Sequence, residues 1–118
     1  MALLSCKDNR TKEYEKIVSQ TARFKIHFLP EKKTFFLRQN EVEQFKQVLT
    51  SEIRPDTVSS FMADTRIELI GSDFQQIGVI ALIHNSRPTA SFNSEKLKFG
   101  FRLTYRIGMW VSEMRSRK

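Results

Sequence analysis

Between Ala22 and Leu29 apolar and polar side chains alternate, with Phe24, Ile26 and Phe28 on one side and Arg23, Lys25 and His27 on the other. A period of two is that of a strand with one buried face. Pro30-Glu31-Lys32-Lys33 interrupts the pattern and Thr34-Phe35-Phe36-Leu37 resumes it, which predicts a hairpin. Thr65 to Ile70 reads as another strand, Gly71-Ser72-Asp73 as a turn, and Gln76 to His84 as the most apolar strand. The unbroken run Ile77-Gly78-Val79-Ile80-Ala81-Leu82-Ile83 predicts a central position covered on both faces. Asn85-Ser86-Arg87-Pro88 turns the chain, Thr89 to Phe92 makes a short strand, Asn93-Ser94-Glu95-Lys96 turns it again, and alternation returns from Leu97.

Three stretches follow a helical period instead. Tyr14, Ile17 and Val18 form the narrow apolar stripe of a short helix. Val42, Phe45, Val48 and Leu49 share one side of a second helix, opened by Asn40 as cap with Glu43 reaching back as in a capping box. That helix should stop before Pro55. Ile107, Trp110, Val111 and Met114 fit a third, from about Thr104 to Met114, with Gly108 as its weak point. The order is α-β-β-α-β-β-β-β-α. Short turns force neighbouring strands to pair antiparallel, so the expected fold is α+β: five to six antiparallel strands packed against two to three helices. Residues 1–20 read as a tether and short helix, and residues 21–118 as a single domain.

Composition narrows this further. A chain of 118 residues suits one core, and ten Phe must mostly be buried, since exposing one forfeits about 1.5–3 kcal/mol. The single Cys excludes an internal disulfide and a multi-cysteine zinc site. A net charge of +7 favours acidic partners of any kind: nucleic acid, anionic lipid or protein. Lys96, Lys98, Arg102, Arg106, Arg115, Arg117 and Lys118, set against Glu95 and Glu113, concentrate +5 of it in the last segment.

Near the start, Leu3-Leu4-Ser5-Cys6 resembles the lipobox of bacterial lipoproteins, and Lys7 to Lys12 resembles the polar tether that follows it in that family. The resemblance implies a lipid anchor on Cys6, membrane association through it, and a domain facing the periplasm or cell surface. It requires an apolar signal segment of ~7–15 residues ahead of the motif, where this sequence has Met1-Ala2 before Leu3. The plain alternative is an ordinary free cysteine in a cytoplasmic protein.

Other candidates are weighed in the same way. The stretch from Ser51 to Asp64 lacks a clear period and mixes Phe61 and Met62 with Arg54, Asp56 and Asp64, a combination found at interfaces; Phe61 and Met62 tucked under the sheet is the competing account. Arg23 and Lys25 on one strand and Lys98 and Arg102 on another offer a basic surface. Binding of single-stranded nucleic acid there needs exposed aromatics for stacking, and the alternation sends Phe24, Phe28, Phe99 and Phe101 to the opposite face. His27 and His84 lie on separate strands, and no phosphate loop or nucleophile motif appears. The leading expectation is therefore a non-catalytic binding domain without cofactor or metal. It would recognise a protein or peptide through a sheet edge or the Ser51–Asp64 loop, as a monomer or an edge-paired dimer. A nucleic-acid-binding module acting through phosphates is the first alternative, and a small enzyme with a site assembled only in the fold is the second.

Overall fold

In the computed structural model, residues 9–51, 53, 55–56, 61–83 and 89–117 are described. Helix α1 (Asn9–Ser19) leads into the hairpin β1 (Thr21–Phe28) and β2 (Lys33–Phe36), then α2 (Gln39–Thr50). A two-residue strand β3 (Pro55–Asp56) precedes β4 (Thr65–Gly71), β5 (Gln76–Ile83), β6 (Thr89–Asn93), β7 (Lys98–Arg102) and α3 (Tyr105–Ser116). All strands join one antiparallel sheet in the order β2-β1-β4-β5-β6-β7-β3. The α+β class and the expected element order are thus present, with β3 as an addition inside the stretch that has no sequence period.

The register explains why the alternating residues fold as they do. Ile26, Ile67, Ile80, Phe92 and Phe99 lie side by side across five strands, and Phe28, Thr65, Leu82, Ala90 and Phe101 form the next row. Every member of both rows is buried. Gly78 shares this face, where a Cβ would come within 2.8 Å of the Phe92 ring. The missing side chain is what lets Phe92 lie flat on β5.

All three helices close over that one face. Tyr14 of α1 meets Phe92 edge-on at 5.0 Å and donates its hydroxyl to the Leu49 carbonyl at 2.9 Å. Burial, aided by Glu15, pushes its phenol far above the ordinary value, so the group stays a neutral donor. Helix α1 is therefore part of the core rather than an appended tether. Phe45 of α2 stands on Phe24 at 5.0 Å and on Trp110 of α3 at 5.2 Å.

Two expectations need correction. Asn40 does not cap α2: the helix starts at Gln39 behind Arg38, with no side-chain cap bond, and Glu43 pairs with Lys46 at 3.0 Å. The cause is the close exit from β2, where Leu37 is buried and its N–H donates to the Phe24 carbonyl at 2.9 Å, so the chain turns helical at once. In α3 the expected kind of cap does form, Thr104 Oγ1 accepting from the Ile107 N–H at 3.2 Å. The second correction concerns β5. It lies at the centre of the sheet, but only one of its faces is covered by described elements: Ile80 and Leu82 are buried, whereas Val79, Ala81 and Ile83 on the other side are half-buried.

Candidate functional site

The uncovered face is built by the residues that alternate with the core. From β1 come Arg23, Lys25 and His27, from β2 Thr34 and Phe36, and from β4 Arg66, Glu68 and Ile70. Val79, Ala81 and Ile83 of β5 run down the middle, followed by Thr89, Ser91 and Asn93 of β6 and Lys98, Gly100 and Arg102 of β7. The centre is thus aliphatic and flat, with Ala81, Ser91 and Gly100 in one row, and cations stand on both flanks. An apolar centre inside a charged rim has the anatomy of a protein interface.

The basic residues singled out from sequence all reach this face but do not make one patch. Arg23 and Lys25 are separated from Lys98 and Arg102 by β4, β5 and β6, a span of about 19 Å at the usual strand spacing. Arg66 stands between them, beside Ala81. The sequence reading missed two aromatics here. Phe36 is 53% and Phe74 71% exposed. Each has a cation over its ring, Lys25 Nζ at 5.7 Å from Phe36 and the Arg23 guanidinium at 4.9 Å from Phe74. Phe74 also holds φ at 66°, in the left-handed region that a bulky side chain rarely adopts. Phe36 ends the short strand β2 beside Phe35 and Phe74 sits in the β4–β5 turn, and in neither place does a period say which side the ring takes.

Near Phe36 a polar chain crosses three strands. His27 Nδ1 lies 3.0 Å from Thr34 Oγ1, and its Nε2 contacts the Glu68 carboxylate directly. Each member directly faces another charged or polar neighbour across the ladder, Arg66 opposite His27 and Lys25 opposite Glu68. The cluster fixes Glu68 to His27, so the acid on this face is already engaged.

The Ser51–Asp64 stretch gives a mixed result. Asp64 belongs to the framework: Arg115 reaches it at 3.3 Å, the Thr65 hydroxyl donates to it at 2.8 Å, and its backbone bonds both Leu29 and Leu82. Phe61 is half-buried and Met62 is 87% exposed. The Asp56 backbone pairs with Gly100; the Asp56 side chain, Arg54, His84 and the lipobox cysteine Cys6 lie outside what is described.

Two cations of the basic C-terminal segment, Arg115 and Arg117, are likewise spent on holding α3. Arg115 lies over Phe28 at 4.9 Å, pairs with Glu31 at 3.1 Å and donates to Thr65 Oγ1 at 2.8 Å. Arg117 grips Glu41 through two bonds of 3.0 and 2.6 Å, which holds that carboxyl below the usual carboxylate range. Lys33 Nζ donates to the carbonyls of Arg115 and Arg117, satisfying groups that a helix end leaves open. A separate cleft of about 440 Å3 opens at the end of the sheet, lined by Glu13, Gln75, Gln76, Asn93, Glu95 and Lys96 among others. Its walls carry mixed charge and no histidine. No protein-family model, no curated protein and no solved structure matches this chain.

Proposed function

We propose that this chain is a non-catalytic binding domain that docks an acidic protein partner against the open face of its sheet. The observation that carries the reading is the stripe Val79, Ala81 and Ile83, left without a described element over it while cations stand to either side. A sheet residue of this type is ordinarily covered, and burial of its apolar area contributes about 25 cal/mol per Å2. The face is about 29 Å wide and about 20 Å along the strands, a footprint of about 580 Å2 that suits an interface smaller than the ~800 Å2 per partner of the standard size. Arg23, Lys25, Arg66, Lys98 and Arg102 set the sign of what it takes.

A titration of isotope-labelled protein by NMR tests this, with an acidic amphipathic helical peptide of Glu and Leu as one probe and a thymidine oligonucleotide as the other. Shifts centred on β5 to β7 with the peptide alone support the reading. Phe36 and Phe74 beside their cations favour the second reading, single-stranded nucleic acid stacked on the two rings. Steeply salt-dependent shifts around those rings with the oligonucleotide, and none with the peptide, would replace the first reading by the second. The Leu3-Leu4-Ser5-Cys6 match extends the proposal to a membrane-tethered form of the same domain, for which intact mass after bacterial expression, with or without a diacylglycerol on Cys6, is the test.

A further inference from the structure

The two edges of the sheet are unequal. At one end β3 is two residues long and begins with Pro55, which has no N–H to offer, so that edge is blunted. At the other end β2 presents Lys33 to Phe36 with no described strand beyond it. Which of its backbone groups are open follows from the ladder. The Leu37 N–H donates to the Phe24 carbonyl, and in the same register Phe35 opposes Ile26 and Lys33 opposes Phe28. Antiparallel pairs alternate between bonded and non-bonded, so Leu37, Phe35 and Lys33 face β1 while the N–H and C=O of Thr34 and Phe36 point outward. Among the described residues no backbone group bonds them.

From this we infer that β2 is a strand-addition site for an extended peptide with an apolar centre and acidic ends. Outward backbone groups of Thr34 and Phe36 supply the ladder. The half-exposed Phe36 ring, with Lys25 beside it, receives an apolar side chain on the open face. Lys32 and Arg38 stand at the two ends of the strand and are exposed. Three described carboxylates are already engaged: Glu31 by Arg115, Glu68 by His27, and Glu41 by Arg117, with the Arg38 charge acting on Glu41 as well. Acidic residues at the peptide's ends meet Lys32 at one end and, at the other, Arg38, whose charge Glu41 offsets only in part because Arg117 also holds that carboxylate. A second copy of this chain fits poorly: antiparallel pairing of two β2 strands about Phe35 sets Lys32 against Arg38, and like charges directly opposite destabilise a ladder. This surface is distinct from the β5 stripe, and the two readings can fail separately.

The probe is the capped, dye-labelled heptapeptide Glu-Glu-Val-Thr-Val-Glu-Glu, followed by fluorescence anisotropy at low salt. Thr34→Pro removes one outward N–H and the hydroxyl bonded to His27 while leaving every backbone bond to β1 in place. It should weaken binding by about tenfold with an unchanged melting midpoint, and Thr34→Val, which also lacks the bond to His27, should bind as the parent does. Should Thr34→Pro fail to fold, N-methylation of the peptide on the parent protein replaces it: methyl groups at alternate positions should abolish binding and those at the intervening positions should not. Ala81→Arg, on the other surface, should leave this affinity alone. Equal binding by parent and Thr34→Pro, equal tolerance of N-methylation at every position, no binding at all, loss through Ala81→Arg instead, or a dimer that Thr34→Pro dissociates, would each overturn the inference.

Discussion

On the covered side of the sheet one row reads Ile26, Ile67, Ile80, Phe92 and Phe99; one residue further along each strand, the row on the open side reads Lys25, Glu68, Val79, Asn93 and Lys98. The strands, spacing and hydrogen bonds are the same for both. What differs is the partner: three helices bring Tyr14, Phe45 and Trp110 to the covered side, Tyr14 directly onto Phe92 of the first row, and the second row meets no described element. Only at β5 do the rows resemble each other, Ile80 against Val79 and Leu82 against Ala81. The pleat thus divides the chain's apolar content between holding the fold and remaining available, and β5 supplies both.

The sharpest way to break this contrast is at Phe92, which is fully buried against Tyr14 and Phe99. Phe92→Ala should cost about 3–5 kcal/mol in denaturant unfolding, a large share of the ~5–15 kcal/mol that holds an ordinary domain together. A loss below about 1 kcal/mol would mean that the helical layer is not closed. Glu41→Gln, at the seam between α2 and α3, should cost about 1 kcal/mol at neutral pH. Because Arg117 lowers the Glu41 pKa, the parent's gain is present above the ordinary carboxylate pKa and disappears as pH falls through the lowered one. The variant should therefore show a flatter acid limb in thermal melts from pH 7 to pH 2. On the open side the sign can reverse. Phe74→Asn relieves the left-handed backbone and should stabilise by about 0.5 kcal/mol, a higher melting midpoint being the readout; a lower one would assign Phe74 a structural role. Val79→Thr should change stability by no more than about 0.5 kcal/mol. If it costs as much as a core substitution, the stripe is covered in the free protein.

Much of the fold was legible because β1, β4, β6 and β7 state their burial by alternation and are joined by turns rich in Gly, Pro, Asn and Ser. The open face was not legible from β5. A continuous apolar run is the same string whether both of its sides are packed or one of them waits for a partner, and only the placement of all three helices on one side decides it. Arg115 and Arg117 show the same limit for charge: counted along the chain they make a basic segment, yet in the fold Glu31, Asp64, Glu41 and Glu113 absorb them. Asp64, grouped with the interface residues, turned out to anchor α3 because the residue that claims it lies far away in sequence. The four basic positions Arg23, Lys25, Lys98 and Arg102 were placed on the correct face by period alone, but their separation into two flanks depends on strand order, which no local pattern encodes.

That strand order also sets a timetable. The β1–β2 hairpin and the β4 to β7 meander each close on short turns, whereas β1 beside β4 and β3 beside β7 join segments remote along the chain. Local pairings form before distant ones because loop closure is costly until native contacts offset it. The meander should act as the nucleus and the hairpin dock afterwards, so stopped-flow kinetics should find that Leu82→Ala slows folding while Phe35→Ala mainly hastens unfolding. A nascent or freshly diluted chain would then pass through a stage in which β4 offers an unpaired border, and the arrival of β1 is the event that seals it.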